Sequence, residues 1–144
     1  MNIEIKTFYN KKHRDQVIAL WNSVFGYSEP RNKPAFIIDK KLAVDDNLFF
    51  VALEKDKIVG TIMAGYDGHR GWIYSMAVLP EFRNKEIGTK LLKHAENELK
   101  KLGCVKINLQ IHIRNELVKE FYIKNGYEIE DRLSMGKEIT ENIQ

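Results

Sequence analysis

The amino-acid sequence predicts a single α/β domain, and three observations carry that prediction. Runs with two-residue apolar alternation take turns with runs of helical period along the chain, the pattern of strands layered with helices. The chain is 144 residues long, enough to bury one good core and too short for two. It contains no internal repeat, low-complexity tract or Gly/Ser linker that would divide it.

The elements follow in order. Ile3 and Ile5 alternate with Glu4 and Lys6 as a short opening strand that could reach Tyr9. Val17, Leu20, Trp21 and Val24 share one face of a helix over about 12–25, and Gly26 suits its C-terminal stop. After a polar loop, Pro34 fits the first position of a second helix, with Ile37, Ile38 and Leu42 following. The β-rich runs 48–54 and 57–66 flank Lys55-Asp56, a tight hairpin. A second hairpin, Asp67 to Gly71, leads into a strand from Trp72 to Val78. Ile87, Leu91, Leu92, Ala95, Leu99 and Leu102 then line one helical face, Lys100 and Lys101 suit its negative end, and Gly103 ends it. Val105, Ile107, Leu109, Ile111 and Ile113 alternate as a strand. Asn115 caps a short helix with Val118, Phe121 and Tyr122, ending near Asn125-Gly126. Two short strands, 127–131 and 133–138, complete the order β-α-α-β-β-β-α-β-α-β-β.

Composition narrows the function classes. One cysteine, Cys104, rules out an internal disulfide and a thiolate cluster, and the four histidines have no metal-ligand spacing, so no metal is expected. The formal charge of +3 is spread over interleaved Lys and Glu, which suits a local anionic ligand better than nucleic acid. No apolar run approaches the ~18 residues of a membrane span, and the first residues lack the apolar stretch of a secretory signal. No membrane or nucleic-acid partner is therefore expected, and the default location is cytoplasmic.

The most informative stretch runs from Met76 to Thr89. A strand ends at Pro80, a basic turn with Arg83, Asn84 and Lys85 follows, and an amphipathic helix begins at once. Such a turn aims successive backbone N–H groups and the positive helix end at one point, a natural diphosphate site. Gly88 permits close approach of a phosphate, and Thr89 offers a hydroxyl.

This stretch resembles the acetyl-CoA loop of the GNAT acetyltransferases, whose pattern is Gln/Arg-x-x-Gly-x-Gly/Ala. Arg83 and Gly88 match, with Glu86 where the first glycine is expected. Asn115-x-x-Val118-x-x-Phe121-Tyr122-x-x-x-Gly126-Tyr127 is similar to the second CoA-facing motif of that family. Gly65-Tyr66-Asp67-Gly68-His69-Arg70-Gly71 is similar to the hairpin of a YpeA-like bacterial subgroup. The resemblance covers essentially the whole chain. It implies one GNAT domain over 1–144, with a mixed, mostly antiparallel sheet flanked by helices. It also implies transfer of acetyl from acetyl-CoA directly to an amine in a ternary complex.

The same resemblance assigns roles. Met76, Ala77, Val78, Arg83, Asn84, Lys85, Glu86, Ile87, Gly88, Thr89, Asn115 and Tyr122 would face acetyl-CoA. Tyr122 would be the acid for the departing thiolate, and a backbone N–H near Ala77 or Val78 the oxyanion donor, where the fourth strand splays from the fifth. Asn115 is explained as well by helix capping. Tyr27, Asp67, His69 and Tyr74 are acceptor-side candidates; for Asp67 and His69 a solvated turn competes with a base role, and a water relay needs no dedicated base. Glu86 either points to solvent or weakens cofactor binding by its charge. The acceptor is a small-molecule or peptide amine, and homodimerisation is common in the fold. An N-terminal acetyltransferase of the RimI-like kind and a non-catalytic acyl-CoA-binding module are the alternatives.

Overall fold

The computed structural model describes residues 1–26 and 29–139. They divide into two compact units, 1–109 and the described part of 110–144.

The first unit is built on a five-stranded sheet in sequence order: β1 (Ile3–Thr7), β2 (Phe49–Glu54), β3 (Lys57–Tyr66), β4 (Gly71–Val78) and β5 (Ile107–Leu109). The first three pairings are antiparallel and β4 pairs β5 in parallel. The turn at Lys55 takes a positive φ of 56° between β2 and β3, in agreement with the expected tight hairpin.

Helices α1 (Asn10–Val24) and α2 (Pro34–Val44) supply the core on one face of the sheet. Val17, Leu20, Trp21 and Ile38 pack there with Phe8, Phe49, Val51, Met63 and Ala77. Helix α1 stops where expected: the N–H groups of Phe25 and Gly26 both reach the Trp21 carbonyl, and Gly26 is left-handed. At its start the Tyr9 N–H donates to Nδ1 of buried His13. Tyr9 thus begins the helix instead of extending β1.

Helix α3 (Ile87–Lys101) buries Ile87, Leu91, Leu92, Ala95 and Leu99 on the other face. Its path depends on Gly60, where a Cβ would stand 2.9 Å from Leu91 Cδ1 and 3.0 Å from the Ala77 carbonyl oxygen. The second unit contains α4 (Glu116–Lys124), capped by Asn115, whose side-chain oxygen accepts from the Val118 N–H at 3.3 Å. Gly126 (φ 92°) follows its end.

Helix α2 turns Pro34, Ile38 and Lys41 inward, and Leu42 is exposed. A lysine can take an inward place because its ammonium donates to Asp46, the Ala64 carbonyl and the Tyr74 hydroxyl. Two strand expectations are corrected. The alternation over 105–113 yields a ladder only at Ile107–Leu109, paired with Gly71–Ile73. A strand lasts only as long as its neighbour, and β4 carries an irregularity just past Ile73. Residues 127–131 and 133–138 form no strand, so the last two elements of the expected order are missing among the described residues. Ile129, Leu133 and Met135 are mostly exposed. Alternation marks a possible face, but without a partner's backbone it makes no ladder.

Candidate active site

The site begins where β4 loses its second neighbour. β5 accompanies β4 only along Gly71–Ile73, so Tyr74–Val78 have a ladder on the β3 side alone. The register steps by one residue between Thr61 and Met63, placing an extra residue of β4 opposite β3, and Ser75 there is left-handed with φ 50°. This is a β-bulge in a strand that has lost its far-side partner.

The bulge settles which amides face outward. The Leu79 N–H bonds the Val59 carbonyl at 2.9 Å, so Leu79 and, two residues back, Ala77 point into the β3 ladder. Val78 therefore points the other way. Its carbonyl accepts from Arg83 Nε at 3.1 Å. Ser75 behaves differently. Its carbonyl accepts from the Thr61 hydroxyl at 2.9 Å, and that hydroxyl oxygen accepts from the Trp21 indole N–H at 2.8 Å. Both Trp21 and Thr61 are buried.

Beyond Val78 the chain turns through a 3-10 helix, Pro80–Phe82, into the basic loop. Asn84 and Glu86 are both left-handed, with φ of 63° and 65°. Left-handed residues in a turn curl neighbouring N–H groups toward a common point. Glu86 caps α3 through its carbonyl, which accepts from the Lys90 N–H, while its side chain makes no cap bond. The N–H groups of Ile87, Gly88 and Thr89 lie in the first helical turn, where a helix has no internal acceptors. Lys57 and Lys85 both reach over the Phe82 ring, at 5.5 and 5.6 Å. Arg83, Lys85 and Glu86 are exposed. The arrangement is a cationic, donor-rich cradle with one carboxylate at its edge.

The acceptor-side candidates divide. Both oxygens of Asp67 are engaged: Oδ1 accepts from the N–H groups of His69 and Arg70 at 2.7 Å, and Oδ2 from Trp72 Nε1 at 3.2 Å. The backbone bond from Arg70, then that from His69, then the Trp72 indole bring its pKa down to about 2. That carboxylate organises its hairpin and is a poor base. His69 is exposed on the same turn. Tyr74 is partly exposed, and its hydroxyl accepts from Lys41 Nζ at 2.9 Å. Lys41 also donates to Asp46 Oδ2 at 2.8 Å and to the Ala64 carbonyl. Gly65 leaves the room this needs, since a Cβ there would meet Tyr74 Oη at 3.3 Å. Tyr27 lies outside the described residues.

In the second unit, Tyr122 is buried beside Phe121 and Tyr127, with ring centroids at 5.1 and 5.5 Å. Burial pushes its phenol up to about 12, so it remains protonated throughout the neutral range. Asn115 uses its side-chain oxygen as the cap of α4.

Several of these participants were not marked by the sequence pattern. Thr61 is the hydroxyl residue of an otherwise apolar strand run, which was the available signal. Lys41 sits at helical spacing from Pro34 and Ile38, a position that reads as core. Lys57 approaches the loop only because the β2–β3 hairpin folds beside it.

The acetyltransferase (GNAT) family matches residues 14–127, and the chain belongs to that family. It is an acyl-CoA-dependent N-acetyltransferase. Among solved structures it is similar to the PaiA N-acetyltransferase of Thermoplasma acidophilum in complex with coenzyme A. That match has 25% identity and a TM-score of 0.79, covering 92% of this chain and 93% of the other. The aminoglycoside N-acetyltransferase AAC(6')-Iy, in complex with a CoA bisubstrate analogue, shares the fold at 14% identity and TM-score 0.78, with coverage of 97% and 100%. Ard1 of Thermoplasma volcanium shares it at 22% identity and TM-score 0.78, with coverage of 90% and 85%. No described helix is long and apolar enough to cross a membrane.

Proposed function

We propose that the whole chain works as one acetyltransferase domain, moving acetyl from acetyl-CoA straight to a small-molecule or peptide amine in a ternary complex. The observation that carries this is the one-sided stretch of β4 running directly into the donor-rich turn 83–89. A diphosphate suits the N–H groups of Ile87, Gly88 and Thr89 with Arg83 and Lys85 beside them. The outward Val78 N–H suits the amide-bearing pantetheine arm or the developing oxyanion, because it has no ladder partner to give up.

Attack by the neutral amine on the thioester carbonyl breaks the C–S bond and leaves a thiolate and a protonated product. Tyr122 is the proposed acid for that thiolate; a phenol held near 12 meets sulfur as a hydrogen-bond donor and never as a competing anion. No base is assigned at Asp67, whose lone pairs and low pKa oppose it. Water carries the amine proton away in this reading, with Tyr74 orienting the acceptor. Placement in a YpeA-like subgroup rests on the hairpin 65–71 alone. A cytoplasmic location and a homodimer remain part of the proposal.

Two measurements test it. Calorimetry should show CoA binding, and thiol release from acetyl-CoA should rise with one of three acceptors: an aminoglycoside, glucosamine 6-phosphate or a peptide with an open N-terminus. Tyr122→Phe should lower turnover by about 100-fold or more with CoA affinity little changed. Turnover equal to that of the unaltered protein removes Tyr122 from the mechanism.

A further inference from the structure

We infer that Thr61 is a positioning residue for acetyl transfer, holding the bulge of β4 in the one orientation that turns the Met76 N–H toward the open side of the strand. The inference rests on the acetyltransferase reading above and adds a residue that no loop motif contains.

The peptide between Ser75 and Met76 sets the direction of both groups. A trans peptide is planar, and its C=O and N–H point in opposite directions. Thr61 pulls the Ser75 carbonyl toward the α1 face of β3, with 2.9 Å between the oxygens. The Met76 N–H must then point away from β3, toward the edge of β4 that β5 does not cover. Val78 already faces that way, so the two amides stand two residues apart on one edge.

The bond holds the peptide that follows a residue in an unusual conformation. Ser75 is left-handed at φ 50°, a conformation that ordinary L-residues enter at a cost. A flip of this peptide, turning ψ of Ser75 and φ of Met76, would present a carbonyl oxygen where a donor is needed. Lone pairs in that place would repel the thioester oxygen as it gains charge. Thr61 opposes the flip, and its hydroxyl has little choice of direction. Its oxygen accepts from the Trp21 indole, which can only donate, so the hydroxyl hydrogen is left to the Ser75 carbonyl. Trp21 and Thr61 are both buried, so water does not replace the bond between them. The chain Trp21 to Thr61 to Ser75 therefore transmits the fixed place of α1 to a single peptide plane.

The test compares Thr61→Val, Thr61→Ser and Val17→Ala. Valine keeps the shape and loses both hydrogen bonds; serine restores the hydroxyl. Val17 is buried on α1 with no polar role, so its truncation matches the loss of stability without touching the bulge. Thermal unfolding, CoA affinity by calorimetry, and kcat and KM with the acceptor found in the screen above are measured for each. The expected result for Thr61→Val is a fall in kcat of about 10- to 100-fold with CoA affinity within twofold. Thr61→Ser should regain most of the rate, and Val17→Ala should keep it at a similar melting temperature to Thr61→Val. Full kcat in Thr61→Val, or an equal fall in Val17→Ala, overturns the inference and leaves the acetyltransferase reading standing. Failure of the unaltered protein to bind CoA overturns both.

Discussion

The two halves of β4 are built from one continuous strand and do opposite things. Gly71–Ile73 has a neighbour on each edge, β3 antiparallel and β5 parallel. Tyr74–Val78 has one, and the backbone groups released from the ladder are held by side chains instead. Thr61 takes the Ser75 carbonyl and Arg83 takes that of Val78. Backbone polar groups in a protein interior need partners of some kind. A ladder supplies them cheaply but closes the edge. Side chains supply them selectively and leave chosen amides for a ligand. The paired half anchors the strand, and the one-sided half is where the proposed cofactor site lies.

That contrast can be broken from the paired half. At Gly71 a Cβ would lie 2.8 Å from Cys104 Sγ, 2.9 Å from Leu99 Cδ1 and 3.3 Å from Ile107 Cγ1. Gly71→Val should cost about 1–3 kcal/mol of stability through overpacking, measured by urea unfolding. CoA affinity of the folded protein should stay within twofold. A matching collapse of CoA binding would show that the two halves are one mechanical unit.

A smaller effect is expected beyond the open half. Glu86 occupies a left-handed position that glycine enters without penalty. Glu86→Gly should add roughly 1 kcal/mol of stability. It should also tighten CoA binding several-fold by removing a negative charge from the rim of the cradle. Greater stability with unchanged affinity would mean that the carboxylate points to solvent and the departure from the glycine pattern carries only a conformational cost.

The smallest effect works through the helix that holds Trp21. Burial first, then Lys12 and Lys6, lower the pKa of His13 below its ordinary 6.5. Its Nδ1 accepts from the Tyr9 N–H, which requires the unprotonated ring at that atom. As pH falls, the unfolded chain takes up this proton first. The contribution is therefore complete above about 6.5 and is lost as pH drops below that value toward the folded pKa. Urea melts at about pH 7.5 and 5.5 should show the unaltered protein losing more stability than His13→Gln across that interval. Equal losses would place the acid sensitivity elsewhere.

Much of the frame was legible because its signals are local. The α3 face repeats with helical period from Ile87 to Leu99, and Gly26, Gly103 and Gly126 mark helix ends through left-handed backbone. The turn 83–89 was legible for the same reason: the bases, the glycine and the helix start are adjacent in sequence. What failed was long-range. Alternation from Val105 to Ile113, and the runs 127–131 and 133–138, read as strand, yet pairing depends on where another backbone lies. The sequence left Asp67 open between a base and turn chemistry, and the choice against a base needed the sight of both its oxygens accepting from its own hairpin.

The sequence by itself determined the α/β layering, the helix boundaries and the basic turn that leads into α3, since each follows from propensities and spacings within about fifteen residues. Only the tertiary structure decided that β4 parts from β5 after Ile73, that Ser75 bulges, and that Trp21 and Thr61, forty residues apart, join to hold it. The reason is that a hydrogen bond between distant residues is set by the packing of whole elements, and no local pattern in the chain encodes its direction.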